Sequence, residues 1–371
     1  MTVLPDVVEE HAEEASFLYD QRAYLTRTLQ AGWRRLEPIE SRIEQHLDAL
    51  LISGSAGVRS VWERVLIEPG AAFAAAVLAA RTDRPEDLSA LWGATPTQAG
   101  RDALVHGLAH EPRPSWASLW TSSLAGGGPL PAWVAAHVVG RGLLPLGSVL
   151  LDHVDRDEDP RTTTAFVEAL GRLRYGPALS VLLHRYLPHS DPGVSQAALT
   201  ALALSGVPRA AAVCAERAAD GGDPAVLLAA SGGPSAGRVL AAATRRGAPR
   251  AALALGLHGD PAYLSLVEDA ASSGDPGAEL GLSLLRERVA QIASRSAGAP
   301  TISDKAPRPP SSGGSPSGAL DVARVFAGDG VPVEVRRSIG LEHALRHGTQ
   351  VADPNAFVFR QRESLLGVPG G

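Results

Sequence analysis

The chain has 371 residues, of which 45% are hydrophobic, so it is long enough to bury a large core. Only 5% are aromatic, and a core of Ala, Leu and Val favours closely packed helices over a β-sandwich. The formal net charge of −6 argues against nucleic acid as the main partner. Cys214 is the only cysteine, which excludes an intramolecular disulfide and a cysteine-based zinc site.

The N-terminal segment shows no targeting signal. Residues 1–17 are acidic and lack the apolar stretch of a signal peptide. No uninterrupted apolar run in the chain reaches the ~18 residues that a membrane-spanning helix needs. We therefore predict a cytoplasmic protein without a membrane span.

Residues 1–55 differ in pattern from the rest of the chain and are predicted to form an N-terminal helical cap. An acidic helix is expected from Asp6 to Tyr24, and an amphipathic helix from Glu37 to Leu51. The terminal unit of a stacked helical array needs a different outer face from the internal units, which fits this position.

Residues 56–130 are predicted to form irregular, tryptophan-containing helical repeats. The tryptophans of the chain all lie early in the sequence and are expected to give this part a bulkier core. They are Trp33, Trp62, Trp92, Trp116, Trp120 and Trp133. The run Gly126 to Gly128 before Pro129 predicts a loop that ends the block.

Residues 131–296 carry the most informative pattern, a series of prolines that each precede the same apolar stripe. Asp191 suits a helix N-cap, and Pro192 suits the first turn, where its missing N–H would have had no partner. The stripe that follows comprises Val194, Ala197, Ala198, Ala201 and Leu202. Similar offsets recur after Pro69, Pro160, Pro224, Pro249 and Pro276.

A second series of prolines lies between the first and opens a second helix in each period. Its members are Pro145, Pro177, Pro208, Pro234 and Pro261. Such a short helical hairpin buries its apolar stripe only when it stacks on its neighbours. The predicted fold is therefore all-α, an α-solenoid of HEAT-like helical hairpins with a distinct N-terminal helical cap. A compact, non-repeating helical bundle is the alternative.

The last part of the chain is predicted to hold a linker, one repeat helix and a tail. Residues 297–318 are dense in Pro, Ser and Gly, which is typical of a flexible linker. Residues 319–371 contain the last repeat helix, over 333–345, and the C-terminal tail. Phe357, Phe359, Arg360 and Arg362 in that tail have the composition of an interface hot spot, and we predict that they bind the partner. The alternative is a tail that folds back and caps the last repeat.

The residues that could carry chemistry do not form a convincing catalytic or metal-binding pattern. His110-Glu111 is a single dipeptide, whereas a di-iron site needs several converging ligands. His11 and Glu14 lie three apart on one helix without a second such pair, which favours a solvated helical face. The acidic run 155–159 lacks the spacing of a calcium loop and is expected to cap the following helix. We predict no catalytic residue, cofactor or metal.

Short segments at both ends of the chain resemble an uncharacterised bacterial family of HEAT-repeat-like proteins, often encoded near type VI secretion genes. The N-terminal segments are HAEEASFLYDQR (11–22), RIEQHLDALLISG (42–54) and EPGAAFAAAVLA (68–79). The C-terminal segments are RRSIGLE (336–342) and NAFVFRQR (355–362). The chain departs from the family in having the Pro/Ser/Gly stretch where a Trp-rich polar segment is expected. The resemblance implies a genomic setting and supplies no mechanism.

These observations leave three functional hypotheses. The first is a non-enzymatic scaffold or adaptor that binds another protein, with an assembly or effector-loading role in type VI secretion as its finer form. The second is an enzyme or a cofactor- or metal-binding protein on a HEAT-like scaffold. The third is an immunity-type protein that sequesters a toxin.

Overall fold

Every regular element in the described part of the chain is a helix, and no β-strand occurs there. This part of the computed structural model comprises residues 4–27, 31–154, 159–231, 234–274, 276–297, 326–327, 331, 333–347 and 356–361. The predicted all-α fold class is confirmed, and two compact units carry the helices.

The first unit comprises residues 1–205, 325–333 and 352–371. Its helices are α1 (Pro5–Arg27), α2 (Trp33–Ile52), α3 (Ser55–Trp62), α4 (Pro69–Arg81), α5 (Leu88–Gly93), α6 (Gln98–His110), α7 (Ala117–Leu124), α8 (Ala132–Arg141), α9 (Gly147–Val154), α10 (Pro160–Arg172), α11 (Leu179–Val181) and α12 (Pro192–Leu204). A π-helical turn, Leu182–Tyr186, extends α11.

Successive hairpins of the first unit stack through their first helices. Helices α1, α4, α6, α8, α10 and α12 contact one another in that order, and α5, α7 and α9 lie against this row. Glycines permit the close approach: a Cβ at Gly140 of α8 would lie 2.8 Å from Cα of Ala169 in α10. A Cβ at Gly171 of α10 would lie equally close, 2.8 Å, to Cα of Ala201 in α12. Both distances fall well below ordinary carbon–carbon contact.

Prolines and capping aspartates begin the repeat helices, as the sequence predicts. Pro160 and Pro192 are the first residues of α10 and α12. The carboxylate of Asp159 accepts the backbone N–H of Thr162 at 3.0 Å, and that of Asp191 accepts the N–H of Val194 at 3.0 Å. These bonds satisfy donors of the first turn that the helix itself leaves without partners.

The second unit comprises residues 206–324 and 334–351. Its helices are α13 (Pro208–Arg217), α14 (Gly222–Ser231), α15 (Pro234–Arg245), α16 (Ala251–His258), α17 (Leu264–Ser272), α18 (Pro276–Ala297) and α19 (Val333–His347). Helices α14, α16 and α18 contact in succession, while α13, α15 and α17 pair with them. This unit is therefore also a row of stacked helical hairpins.

The boundary between the units lies at residues 205 and 206, inside the range predicted as one regular block. Most of the predicted linker 297–318 lies outside the described residues, and Ala297 ends α18.

Cys214 is fully buried in the second unit. Burial raises the pKa of its thiol to about 12, so the thiol stays protonated and is a poor nucleophile.

Candidate interaction surface

The C-terminal tail lies against the N-terminal helices of the first unit. The ring of Phe357 is stacked 5.6 Å from that of Phe73 in α4 and lies 4.4 Å from the ring of His110 in α6. The guanidinium of Arg22 in α1 covers the same ring at 4.7 Å. Phe357 is only 1% exposed. The tail therefore contributes an aromatic side chain to the core formed by helices more than 240 residues earlier.

A buried ion pair of α1 and α2 holds the tail backbone. Arg22 Nε donates to Glu40 Oε1 at 2.7 Å, and both side chains are buried. The second carboxylate oxygen of Glu40 accepts the backbone N–H of Val358 at 2.6 Å, and Arg22 Nη2 donates to the Ala356 carbonyl at 2.7 Å. A buried ion pair is tolerated when further hydrogen bonds satisfy its remaining atoms, and the tail supplies two of them.

The tail residues predicted to bind a partner therefore have contacts within the protein itself. Phe359 is half-buried with its ring 5.5 Å from that of His110, and Arg360 Nη2 donates to the His110 carbonyl at 3.2 Å. Arg362 lies outside the described residues. Partner binding by these residues stays a prediction. Burial of Phe357 means that this ring is covered by α1, α4 and α6 while the tail is docked.

Tryptophan and arginine side chains form a half-exposed surface elsewhere on the first unit. The guanidinium of Arg161 lies 3.7 Å from the centre of the Trp133 ring, and that of Arg101 lies 4.7 Å from the Trp92 ring. The two tryptophan rings meet edge to face at 5.9 Å. We call these four residues the Trp–Arg surface. Trp and Arg are the residues most enriched in binding hot spots.

A cavity of about 390 Å³ adjoins the Trp–Arg surface and shares Trp133 and Arg161 with it. Helices α1, α6, α8 and α10 all contribute to its walls. Its charged lining is Arg22, Arg27, Arg141, Arg161 and Asp102, with His106 and His137 beside them. Cations therefore outnumber carboxylates in the wall, although the protein as a whole is acidic.

Tyr19 forms part of the cavity wall and lies close to its cations. The Tyr19 hydroxyl and His106 Nδ1 are hydrogen-bonded at 3.0 Å. Burial raises the pKa of Tyr19; the charges of Arg22, Arg141 and Arg27 oppose that rise, and the charge of Asp20 adds to it. Three guanidiniums therefore lie near the Tyr19 hydroxyl, and that of Arg22 is paired with Glu40.

The sequence pattern does not reveal this surface, because it predicts a bulky core for all the tryptophans. Trp33, Trp116 and Trp120 are indeed buried, whereas Trp92 and Trp133 are half-exposed. A signal was present in the sequence, because Trp133 and Arg161 are each the second residue of a repeat helix that has a proline at or just before its first residue. Equivalent positions of stacked repeats are neighbours in space, so this placement could have indicated that the two side chains meet.

The histidines considered as metal ligands bond to other side chains. His110 Nε2 lies 2.7 Å from Glu44 Oε1, and Glu111 forms a salt bridge with Arg81 at 2.7 Å. His11 Nδ1 lies 2.9 Å from Nδ1 of His46. Within the described ranges, no three His, Cys, Asp or Glu side chains come together as a metal site would require.

A HEAT repeats family matches residues 147–232, which run from α9 to the end of α14. The match covers a minor part of the chain and supports HEAT-like repeats there. Proteins built from such repeats generally act as interaction scaffolds with an extended binding surface. No curated protein and no solved structure matches the chain significantly. None of the helices in the described ranges combines the length and the apolar character that crossing a membrane requires.

Proposed function

We propose that the chain is a cytoplasmic, non-enzymatic scaffold that binds another protein through the Trp–Arg surface and the adjoining cavity. The observation that carries the proposal is the Arg161 guanidinium over the half-exposed ring of Trp133, at the edge of the cavity. A large aromatic ring that stays partly open to solvent, beside a guanidinium, offers a partner both apolar area and directed hydrogen bonds.

The architecture supports the same function. Repeated helical hairpins place equivalent residues in a row, so side chains of α5, α6, α8 and α10 form one surface. Cys214 is buried and protonated, and the histidines described above have side-chain partners. The competing hypothesis of a metal- or cofactor-binding enzyme predicts a stoichiometric metal or a visible chromophore in the purified protein. Finding either one would overturn our proposal.

The experiment that tests the scaffold function compares two tryptophan substitutions. Trp133→Ala removes the centre of the Trp–Arg surface, and Trp62→Ala removes a half-buried tryptophan on α3 as the control. The tagged full chain is used to capture proteins from the cells that produce it, and recovery is quantified by mass spectrometry. We expect one protein at near one-to-one stoichiometry with the unchanged chain and with Trp62→Ala. A hot-spot tryptophan contributes about 2 kcal/mol or more, so Trp133→Ala should weaken the affinity about thirtyfold and lower recovery accordingly at concentrations below saturation.

Equal recovery with both variants, each checked by circular dichroism for unchanged helix content, would contradict the proposed surface.

In its finer form, the proposal makes the partner a component or effector of a type VI secretion system. The support is the resemblance of segments 11–22, 42–54 and 355–362 to the family described above. Deletion of the gene should then stop secretion of an effector, and restoration with Trp133→Ala should fail. Normal secretion in the deletion strain would contradict the proposed role in secretion without contradicting the scaffold function.

A further inference from the structure

We infer that the cavity beside the Trp–Arg surface binds an acidic segment of the partner protein through at least two carboxylates. The inference rests on the proposed function and adds the chemistry of the partner. Its basis is the imbalance of charge in the cavity wall, where four arginines and two histidines face one aspartate, Asp102.

Two of the four arginines are available for a partner. Arg22 forms the buried pair with Glu40, so its charge is already balanced. Arg27 and Arg161 are exposed, and neither forms a salt bridge with a carboxylate of the described residues. Arg27 donates to the Ala23 carbonyl at 3.2 Å, and Arg161 lies over Trp133, so both guanidiniums are held in place. A positioned guanidinium matches the two oxygens of a carboxylate.

The distribution of these cations favours an extended acidic segment over a small ligand. Arg27, Arg141 and Arg161 come from α1, α8 and α10, and the axes of packed helices lie about 8–10 Å apart. The positive charge is thus spread along the row of helices and fits carboxylates spaced along a peptide. Small-molecule sites of similar volume, about 300–1,000 Å³, are lined mainly by apolar side chains, unlike this cavity.

The ring of Trp133 adds a second element of recognition. It lies between the cavity and the other half of the Trp–Arg surface, with His137 5.9 Å away. An apolar residue next to the carboxylates would pack on this ring while Arg161 stays paired with an acid. The inferred ligand is therefore a protein segment in which acidic and apolar residues alternate.

Calorimetric titration of the full chain with synthetic peptides tests the inference. The probe is an acetylated hexapeptide of alternating glutamate and alanine, and its control replaces each glutamate by glutamine. Inorganic phosphate and a short single-stranded oligonucleotide are titrated separately. We expect binding of the glutamate peptide alone, weakened by added salt because the charges are exposed. The variant R27A/R161A should bind the glutamate peptide at least about tenfold more weakly. The variant R59A removes an exposed arginine of α3 and should bind the peptide as the unchanged chain does.

Equal binding of the glutamine peptide, saturation by phosphate or oligonucleotide in place of the glutamate peptide, or no loss in R27A/R161A would each overturn the inference. The test also separates this inference from the scaffold function. If R27A/R161A still captures the partner that Trp133→Ala loses, the carboxylate site is wrong and the scaffold stands. If the peptide binds through the arginines and no partner depends on Trp133, the inferred binding of acidic ligands is supported and the proposed scaffold function is contradicted.

Discussion

Each unit encloses a helix that is apolar and buried over almost its whole length, yet different side chains surround that helix in the two units. In the first unit, α4 is buried from Gly70 to Ala80, and the rings of Tyr19 and Phe357 stack on Phe73 at its centre. In the second unit, α16 is buried from Ala251 to Leu257, and its Gly256 meets the backbone of Gly281 in α18. A helix that is apolar all round belongs inside a protein in both cases.

The two units differ in the side chains that surround these helices, and this difference coincides with the position of the candidate site. Glycine contacts bring helix backbones close together in both units, as in α8 and α10 of the first and α16 and α18 of the second. The first unit adds aromatic rings and ion pairs, which involve charged residues such as Glu40 and Glu44. The cavity and the Trp–Arg surface occur in the unit with the larger side chains.

The largest effect is expected from breaking the buried polar contacts between α1, α2 and the tail of the first unit. Glu40→Ala leaves Arg22 buried without its carboxylate and removes the acceptor for the Val358 N–H. Loss of one member of a buried pair costs about 3–5 kcal/mol, and the free energy of unfolding should fall by that amount. Urea unfolding followed by tryptophan fluorescence measures it, since all six tryptophans lie within the first unit.

The matched control is Glu63→Ala, which removes an exposed glutamate of the same unit and should change the stability by less than about 0.5 kcal/mol. Hydrogen exchange should show the loss of protection in α1, α2 and residues 356–361. A variant R22M/E40L, which replaces the pair by apolar residues, should recover much of the stability. If Glu40→Ala unfolds at the same urea concentration as Glu63→Ala, the tail contacts are not stabilising.

A smaller effect is expected from enlarging a glycine in the second unit. Gly256→Ala places a methyl group against the backbone of Gly281, where no side chain can move aside. Forcing extra volume into such a contact costs about 1–3 kcal/mol. Gly93→Ala is the control, because a Cβ there meets nothing within 4 Å. The control should be neutral or slightly stabilising, since alanine favours helices. Protection from hydrogen exchange should fall in α16 and α18 in Gly256→Ala alone, and equal thermal stability of both variants would refute the close contact.

The sequence predicted what local chemistry determines and missed what distant residues determine. Helix starts at Pro160 and Pro192 follow from the fixed φ of proline and the capping carboxylates of Asp159 and Asp191, all within a few residues. The docking of Phe357 on Phe73 joins positions 284 residues apart, and no periodicity connects them. The sequence therefore predicts a tail that binds a partner or caps the last repeat, whereas Phe357 packs on α4 of the first unit.

The Trp–Arg surface was partly predictable, because equivalent repeat positions carry Trp133 and Arg161. The cavity was not, since it depends on how far apart the helices α1, α6, α8 and α10 lie. The Tyr19 ring in its wall stacks on Phe73 of α4 at 4.3 Å, and a repeat pattern of small residues does not reveal this contact.

The smallest effect is expected from Glu44 of α2, one of the ion-paired carboxylates that distinguish the first unit. Glu44 accepts hydrogen bonds from Arg81 at 2.6 Å and contacts His110 at 2.7 Å. Burial alone would raise the pKa of Glu44, but these hydrogen bonds and charges outweigh it and lower the pKa from 4.5 to about 2. A carboxyl whose pKa falls on folding stabilises the protein above its unfolded pKa, and this contribution is lost as the pH falls from 4.5 towards 2.

Because the Glu44 side chain is 30% exposed, we expect a discounted contribution of about 1–2 kcal/mol at neutral pH. The difference in stability between the unchanged chain and Glu44→Gln, measured by urea unfolding, should be largest near neutral pH and shrink steadily in acid. Other carboxylates titrate in both proteins and cancel in this difference. Glu63→Gln should show no such trend. A difference that stays constant or grows as the pH falls would mean that Arg81 and His110 do not hold Glu44 in its charged form.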